Sequence, residues 1–267
     1  MRLKIEHTTT FEYTEPVSEA YTEVRLKPQE ESGQHCLSFN LRVEPRCEVF
    51  EYIDYRGNDV RYFDILPAHD QLTVHAASQV VTSREFLDGY RELVPLERFD
   101  YLQTTDYTTN ENLLAALFPS GFSLQDQYES AIEIMHVVHR AIQYEKGSTD
   151  VSTTAAQALA IGRGVCQDYT HVMLSACRAI NLPARYVSGY LFSPTSHESA
   201  HATHAWVDVY IDGHGWVSLD PTHDIPQNEY HVRVAVGRDY SDVTPTRGLY
   251  TGSSKEHLNV KVSIRPV

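Results

Sequence analysis

Residues 162–183 constrain this chain more than any other stretch. Gly162-Arg163-Gly164 is a glycine turn and Val165-Cys166-Gln167-Asp168-Tyr169 follows it. From Val172 the apolar positions Met173, Ala176, Cys177 and Ile180 recur at helical spacing until Asn181-Leu182-Pro183 ends the run. The pattern predicts a helix with Cys166 in its first turn. There, unpaired backbone N–H groups and the positive end of the helix dipole favour negative charge. Such a setting lowers a thiol's pKa, and the thiolate is the nucleophile. Cys177, on the apolar face of the same helix, reads as core filler, the ordinary fate of an isolated cysteine. Position alone therefore does not make Cys166 reactive; partners do.

Two downstream segments offer them. Residues 204–210, His-Ala-Trp-Val-Asp-Val-Tyr, alternate apolar and polar positions as a strand does, with His204 at its start. A glycine-bearing turn leads into a second short strand, Gly215-Trp216-Val217-Ser218-Leu219-Asp220, stopped by Pro221. Antiparallel neighbours joined by so tight a turn carry His204 and Asp220 side by side, and a helix-borne Cys166 facing them completes a nucleophile, a base and an orienting carboxylate. A metal site competes for the same residues: His197, His201 and His204, with Asp208 and His223 nearby, suit zinc by residue type. Their spacing belongs to a helix, however, while the segment reads as loop and strand.

The sequence resembles the bacterial transglutaminase-like proteins. The matching stretches are Gly164-Val165-Cys166-Gln167-Asp168-Tyr169, residues 182–190 (LPARYVSGY), His204-Ala205-Trp206, residues 215–222 (GWVSLDPT), Ala235-Val236-Gly237-Arg238-Asp239-Tyr240 and Asp242-Val243-Thr244-Pro245. The resemblance implies a papain-like core with a Cys166, His204, Asp220 triad, preceded by a β-rich domain. It implies acyl transfer from an amide or peptide carbonyl through a thioester, to an amine or to water. A protease or amidase that only hydrolyses is the nearest alternative; a binding or scaffold protein with a dead site would lack a triad member, and none is lacking. Positions 169 and 170 hold Tyr169 and Thr170 where related chains often have Phe and a small residue, a mild departure at the pocket lip, and Tyr144, Gln167 and Trp206 are the candidates for a side-chain donor to the oxyanion, beside the backbone N–H of Cys166. The substrate expected is a protein, peptide or small amide. No cofactor is implied, and no calcium-loop pattern is present.

The rest of the chain organises into an α+β protein. Before residue 83, β-rich runs fall at Leu3–Tyr13, Tyr21–Leu26, Leu37–Val43, Val49–Tyr55, Val60–Leu66 and Leu72–Val81, with Arg56-Gly57-Asn58-Asp59 as a hairpin connection. They predict an antiparallel β-sandwich over residues 1–82. Residues 83–127 mix polar and aromatic positions and predict a connecting segment with short helices. The core, 128–267, opens with a helix face of Ile132, Met135, Val138, His139 and Ile142, then a shorter helix from Thr153 to Ile161 capped by Gly162. Helices packed on an antiparallel sheet are expected, with Leu258–Ile264 as a late strand pairing either with that sheet or with the first domain.

Supporting residues have plain readings. His171 is expected at the surface or behind the site, Asp208 and Asp212 in solvent, Trp216 in the core, Asp168 as a first-turn helix charge, and Arg185 and Arg238 in structural ion pairs. Four cysteines suggest free thiols in a reducing compartment, with Cys36 and Cys47 the pair placed to face each other across adjacent strands. Residues 1–7 lack an apolar targeting core and no stretch approaches the length of a membrane span, which points to a cytoplasmic chain. Thirty-six acidic against 22 basic residues give a formal charge of −14, which opposes attraction to nucleic acid or an anionic membrane. An exposed edge strand in the sandwich leaves a homo-oligomer open.

Overall fold

The computed structural model describes residues 1–83, 91–109, 112–123, 126–194 and 203–267. Among these, no helix is long and apolar enough to cross a membrane. The two runs expected at Leu3–Tyr13 and Tyr21–Leu26 are one strand, β1 (Arg2–Val24). Then come β2 (Gln34–Glu44), β3 (Phe50–Ile53), β4 (Asp59–Ile65) and β5 (His69–Thr82), giving the order β2-β5-β1-β4-β3. The β3–β4 connection is the expected hairpin, with Gly57 at φ 86°, a conformation that suits glycine. Inward positions Val24, Phe63, Ile65, Leu72, Val74 and Ala76 fill the sandwich.

The segment 83–127 carries the expected short helices, α1 (Pro95–Leu102) and α2 (Leu113–Leu117). It is packed into the protein rather than spanning a gap, since Leu113 and Leu117 belong to the main core. The second half supplies α3 (Gln127–Ala141), β6 (Gln143–Tyr144), α4 (Ala155–Ile161), β7 (Arg163–Gly164) and α5 (Cys166–Ala179). Helices α3 and α4 start where a side chain can satisfy their free N–H groups. Asp126 accepts from Tyr128 and Glu129 N–H, and Thr154 and Gln157 cap α4 reciprocally. Gly162 ends α4 in the left-handed region at φ 68°. Then β8 (Ala184–Leu191), β9 (Thr203–Ile211), β10 (Gly215–Asp220), β11 (Ile225–Pro226) and β12 (His231–Gly237) form an antiparallel sheet ordered β11-β10-β9-β8-β12. Val172, Met173, Ala176 and Cys177 of α5 pack on Ala205, Val207 and Val209 of β9 in one core.

The last two strands, β13 (Thr246–Thr251) and β14 (Glu256–Pro266), leave that sheet and flank β1, β14 along its first half and β13 along its second. Chain order therefore does not divide the molecule at residue 128, because its C-terminal strands complete the N-terminal sandwich. Leu3, Ile5 and Ile264 also lie in the same apolar cluster as α3 and α5. Cys36 and Cys47, expected as cross-strand neighbours, lie instead near the start of β2 and in the connection that follows it, and all four cysteines are free thiols.

Strand β12 is the outer strand of its sheet, and two buried carboxamides from the sandwich cover it. Gln34 accepts from Arg233 N–H at 2.7 Å and donates to Arg233 C=O at 2.8 Å. Asn58 accepts from Val236 N–H at 2.7 Å and donates to its C=O at 2.9 Å. Each side chain thus imitates one residue of a neighbouring strand and removes an open edge. Asn58→Ala and Gln34→Ala should each lower unfolding free energy by about 1–3 kcal/mol, the cost of leaving buried backbone groups unpaired. Urea denaturation measures it, and two midpoints equal to the wild type's would refute this account of the contact between the sandwich and β12.

Candidate active site

The site begins where α5 begins. Parallel pairing of β6 and β7 sets Tyr144 beside Gly164, two residues ahead of Cys166. Asp168 caps the helix from within: its Oδ2 accepts from Val165 N–H at 2.7 Å and from the Thr149 hydroxyl at 2.7 Å. Burial raises its pKa while those bonds pull the other way. A Cβ at position 164 would lie 2.5 Å from Asp168 Oδ2, so the close approach requires glycine. Cys166, the first helical residue, is half-buried, and its N–H has no acceptor four residues back.

The facing wall is the sheet. Register Gly189↔His204 and Leu219↔Val207 brings His204, at the start of β9, to Asp220 at the end of β10. Gly189 is needed here too, since a Cβ would meet Val232 O at 2.2 Å and the Trp206 ring at 2.7 Å. His204 Nε2 lies 2.8 Å from Asp220 Oδ2, and the Cys166 thiol is near enough to the ring to help raise its pKa. With Nε2 on Asp220, Nδ1 is the atom left for sulfur.

Asp220 is buried at 0% exposure and is met by donors on both oxygens. Oδ1 accepts from Thr222 N–H at 2.9 Å and His223 N–H at 3.3 Å. Oδ2 faces His204, His223 Nδ1 at 2.8 Å and His231 Nε2 at 3.1 Å. Burial raises the carboxyl's pKa, but His204 and the hydrogen bonds of all three imidazoles hold it well below the usual range. Burial likewise opposes a proton on His204, and the Asp220 charge and hydrogen bond, helped by Cys166, outweigh it and lift the ring to about 10.

The expected oxyanion donors separate. The Tyr144 side chain is half-exposed, and its hydroxyl pKa is raised by burial first and then by the neighbouring Cys166. Gln167 Nε2 instead donates to Val151 C=O at 3.0 Å, away from any oxyanion. Trp206 is buried, stacks with His204 at 6.0 Å between centroids, and gives its indole N–H to Gln227 Oε1. That proton is committed, so Trp206 shields the histidine.

Two readings need correction. Asp208, expected in solvent, is fully buried between Arg185, at 2.8 Å, and Arg233, with Ser218 as a further donor at 2.6 Å. It is thus unavailable to the metal cluster suggested by sequence, of which His197 and His201 lie outside the described residues. His171, expected at the surface or behind the site, is buried between Tyr107 and Tyr186, and burial pushes its pKa down to about 3. Arg238 pairs with Asp242 at 2.9 Å and Asp212, exposed, pairs with Arg98, as their readings allow. Two residues at the centre went unassigned. His231 is invisible in a run of strand residues, while His223, three after Asp220, had a signal in its spacing but was read toward a metal. His204, Asp220 and His231 do form a buried group with metal-ligand chemistry. Yet their ring nitrogens converge on Asp220 Oδ2 itself at hydrogen-bond lengths, so protons account for the convergence.

Comparison with known proteins gives the same outline. Residues 121–221 match the model of the transglutaminase-like superfamily core, and residues 3–81 match that of the bacterial transglutaminase-like N-terminal region. An uncharacterized protein of Mycobacterium leprae is 32% identical over 98% of this chain and 98% of its own length. One from Mycobacterium tuberculosis is 28% identical over 99% and 93%. A protein-glutamine gamma-glutamyltransferase of Pseudomonas aeruginosa is 35% identical over 68 residues, 23% of this chain and 10% of that protein. A solved structure named as a "Putative Cysteine Protease" from Cytophaga hutchinsonii superposes with a TM-score of 0.79 at 22% identity, over 100% of this chain and 91% of that one.

The His204 proton gives the site a pH signature. An unfolded histidine releases its proton near 6.5, whereas this one holds it to about 10. The stabilisation is complete below pH 6.5 and is lost as pH rises toward 10. Thermal melts between pH 7 and 10 should show the wild-type Tm falling more steeply than that of His204→Gln; parallel slopes would contradict the raised pKa.

Proposed function

This chain belongs to the transglutaminase-like superfamily, and on that premise we propose that it is a cysteine acyltransferase acting on an amide carbonyl, with Cys166 as nucleophile, His204 as general base and acid, and Asp220 as orienting carboxylate. One observation supports this above the rest: His204 Nε2 lies 2.8 Å from the buried Asp220 carboxylate, and the ring is near enough to Cys166 for the thiol to help raise its pKa.

The chemistry follows from those contacts. His204 takes the thiol proton, leaving a thiolate at the helix N-terminus and an imidazolium against Asp220. Sulfur attacks the carbonyl carbon, a C–S bond forms, and the oxygen carries negative charge. The free N–H of Cys166 is one donor to it, and the Tyr144 hydroxyl is the available second. Collapse breaks the C–N bond, and the leaving nitrogen takes the proton from His204. An amine or water then attacks the thioester, returns a proton to His204 and releases the thiolate. The acceptor's identity decides between transfer and hydrolysis. A dry site favours the amine.

The other thiols provide the control. Burial raises the pKa of Cys36 and Cys47, and drives Cys177 up to about 12. Iodoacetamide at pH 7 should therefore modify Cys166 at least about 10-fold faster than any of them, and His204→Ala should remove most of that advantage. Equal rates across the accessible thiols would count against the nucleophile. With a glutamine peptide and a primary amine, mass spectrometry should find the amide-linked adduct or the hydrolysed carboxylate, and neither product from Cys166→Ala. Tyr144→Phe should slow turnover by about 10- to 100-fold while leaving Cys166 alkylation within about 3-fold, because the hydroxyl acts on the oxyanion and not on the thiol.

A further inference from the structure

The carboxylate that orients His204 has another buried partner to which the triad gives no part. His231, the first residue of β12, is fully buried, and its Nε2 lies 3.1 Å from Asp220 Oδ2. Across the ring, Nδ1 lies 3.3 Å from the backbone N–H of Asn228 and 3.1 Å from Asn228 Oδ1. Trp206 meets its edge, with centroids 5.1 Å apart and planes at 75°, while stacking on His204 with its own ring. The indole thus fills the space between two imidazoles that reach one oxygen.

The protons on His231 follow from its neighbours. The ionisable groups acting on it are Asp220, His204 and His223. Burial lowers its pKa first, the carboxylate opposes that, and the other two imidazoles add to it, so the ring is neutral at pH 7. An ionised carboxylate has no proton to give, so the single proton of a neutral His231 must sit on Nε2. Nδ1 is then the acceptor for Asn228 N–H.

We propose that His231 is a positioning residue of the thiol site: its Nε2–H, held in place by Asn228, fixes the Asp220 carboxylate in the orientation that presents Oδ2 to His204 and takes up part of its charge. This rests on the triad reading of Cys166, His204 and Asp220. Of the imidazoles on Oδ2, His204 must gain and release a proton in each turnover, and the His223 side chain is 47% exposed and open to exchange with water. His231 is buried and engaged at both nitrogens, which suits it to hold the oxygen while the other two change.

The effect on His204 has a defined sign. A neutral donor draws carboxylate charge toward itself without placing a cation beside the base. Without it, the charge left on Oδ2 acts more fully on His204, the imidazolium becomes harder to deprotonate, and delivery of its proton to the leaving nitrogen slows. The carboxylate also becomes freer to rotate, which costs turnover through misalignment.

Nitrogen-15 histidine spectra follow the His204 titration directly, alongside the rate of amide turnover. His231→Leu should raise the His204 pKa by about 0.5 unit or more and lower kcat by about 10-fold or more, with KM nearly unchanged. His231→Gln, whose amide can donate to Asp220, should restore kcat to within about 3-fold of the wild type. If His231→Leu fails to fold, His231→Asn, polar but too short to reach Oδ2, should show the same shift and loss. A folded Leu or Asn variant with wild-type His204 titration and wild-type kcat overturns the proposal. Failure of the triad reading looks different: Cys166 of the wild type would then lack its alkylation advantage, whatever position 231 holds.

Discussion

A carboxylate buried at zero exposure must be surrounded by donors or lose its charge, and the region around Asp220 is built to that requirement. No single element could provide the five donors. Two come from the turn that follows, where Thr222 and His223 N–H close on Oδ1. The others are imidazoles from β9, from that same turn and from β12. Satisfying one side chain therefore fixes where two neighbouring strands, the outer strand and the connecting turn lie relative to one another. Helix α3 secures the turn from outside: His136 Nδ1 lies 2.5 Å from Asp224 Oδ1, and His139 Nδ1 lies 3.1 Å from Pro221 C=O. His204, the proposed base for the thiol, is positioned as a consequence of solving a desolvation problem.

This places the β-sandwich in the chemistry without any ligand motif of its own. His231 opens β12, and the same strand is held along its outer edge by Gln34 at Arg233 and Asn58 at Val236. Arg233 also reaches inward to Asp208, so one residue joins the sandwich carboxamide, the sheet edge and the buried ion pair. An outer strand with open N–H and C=O groups frays or pairs elsewhere. Closed in this way, β12 keeps its first residue, and thereby the far side of the Asp220 carboxylate, in register.

Much of this was legible in the sequence because the relevant signals are local. The glycine turn before Cys166, the Gly162 stop, and the alternation that set His204 and Asp220 on adjacent strands all act within a few residues. The family resemblance extended that reading to the fold. What could not be read depends on contacts far apart in the chain. Asp208 alternates with apolar residues as a solvent-facing residue would, and only the arrival of Arg185 and Arg233 makes its burial tolerable. Strands β13 and β14 carry ordinary strand patterns, which say nothing about the partner they choose, and their choice of β1 joins residues some 240 positions apart. His231 lies among apolar strand residues with no feature to separate it from a core histidine.

The two cysteines of α5 occupy opposite settings on one helix. Cys177 sits on the core face and has lost its water, and burial outweighs the opposing Arg178 charge and holds it as a thiol, with a pKa of about 12. Cys166, eleven residues earlier, is only half-buried, lies at the end where backbone N–H groups are unpaired, and is near the His204 ring. That ring's proton affinity is raised by a carboxylate that five donors hold ionised. The role proposed for Cys166 therefore depends on Asp220, acting through His204.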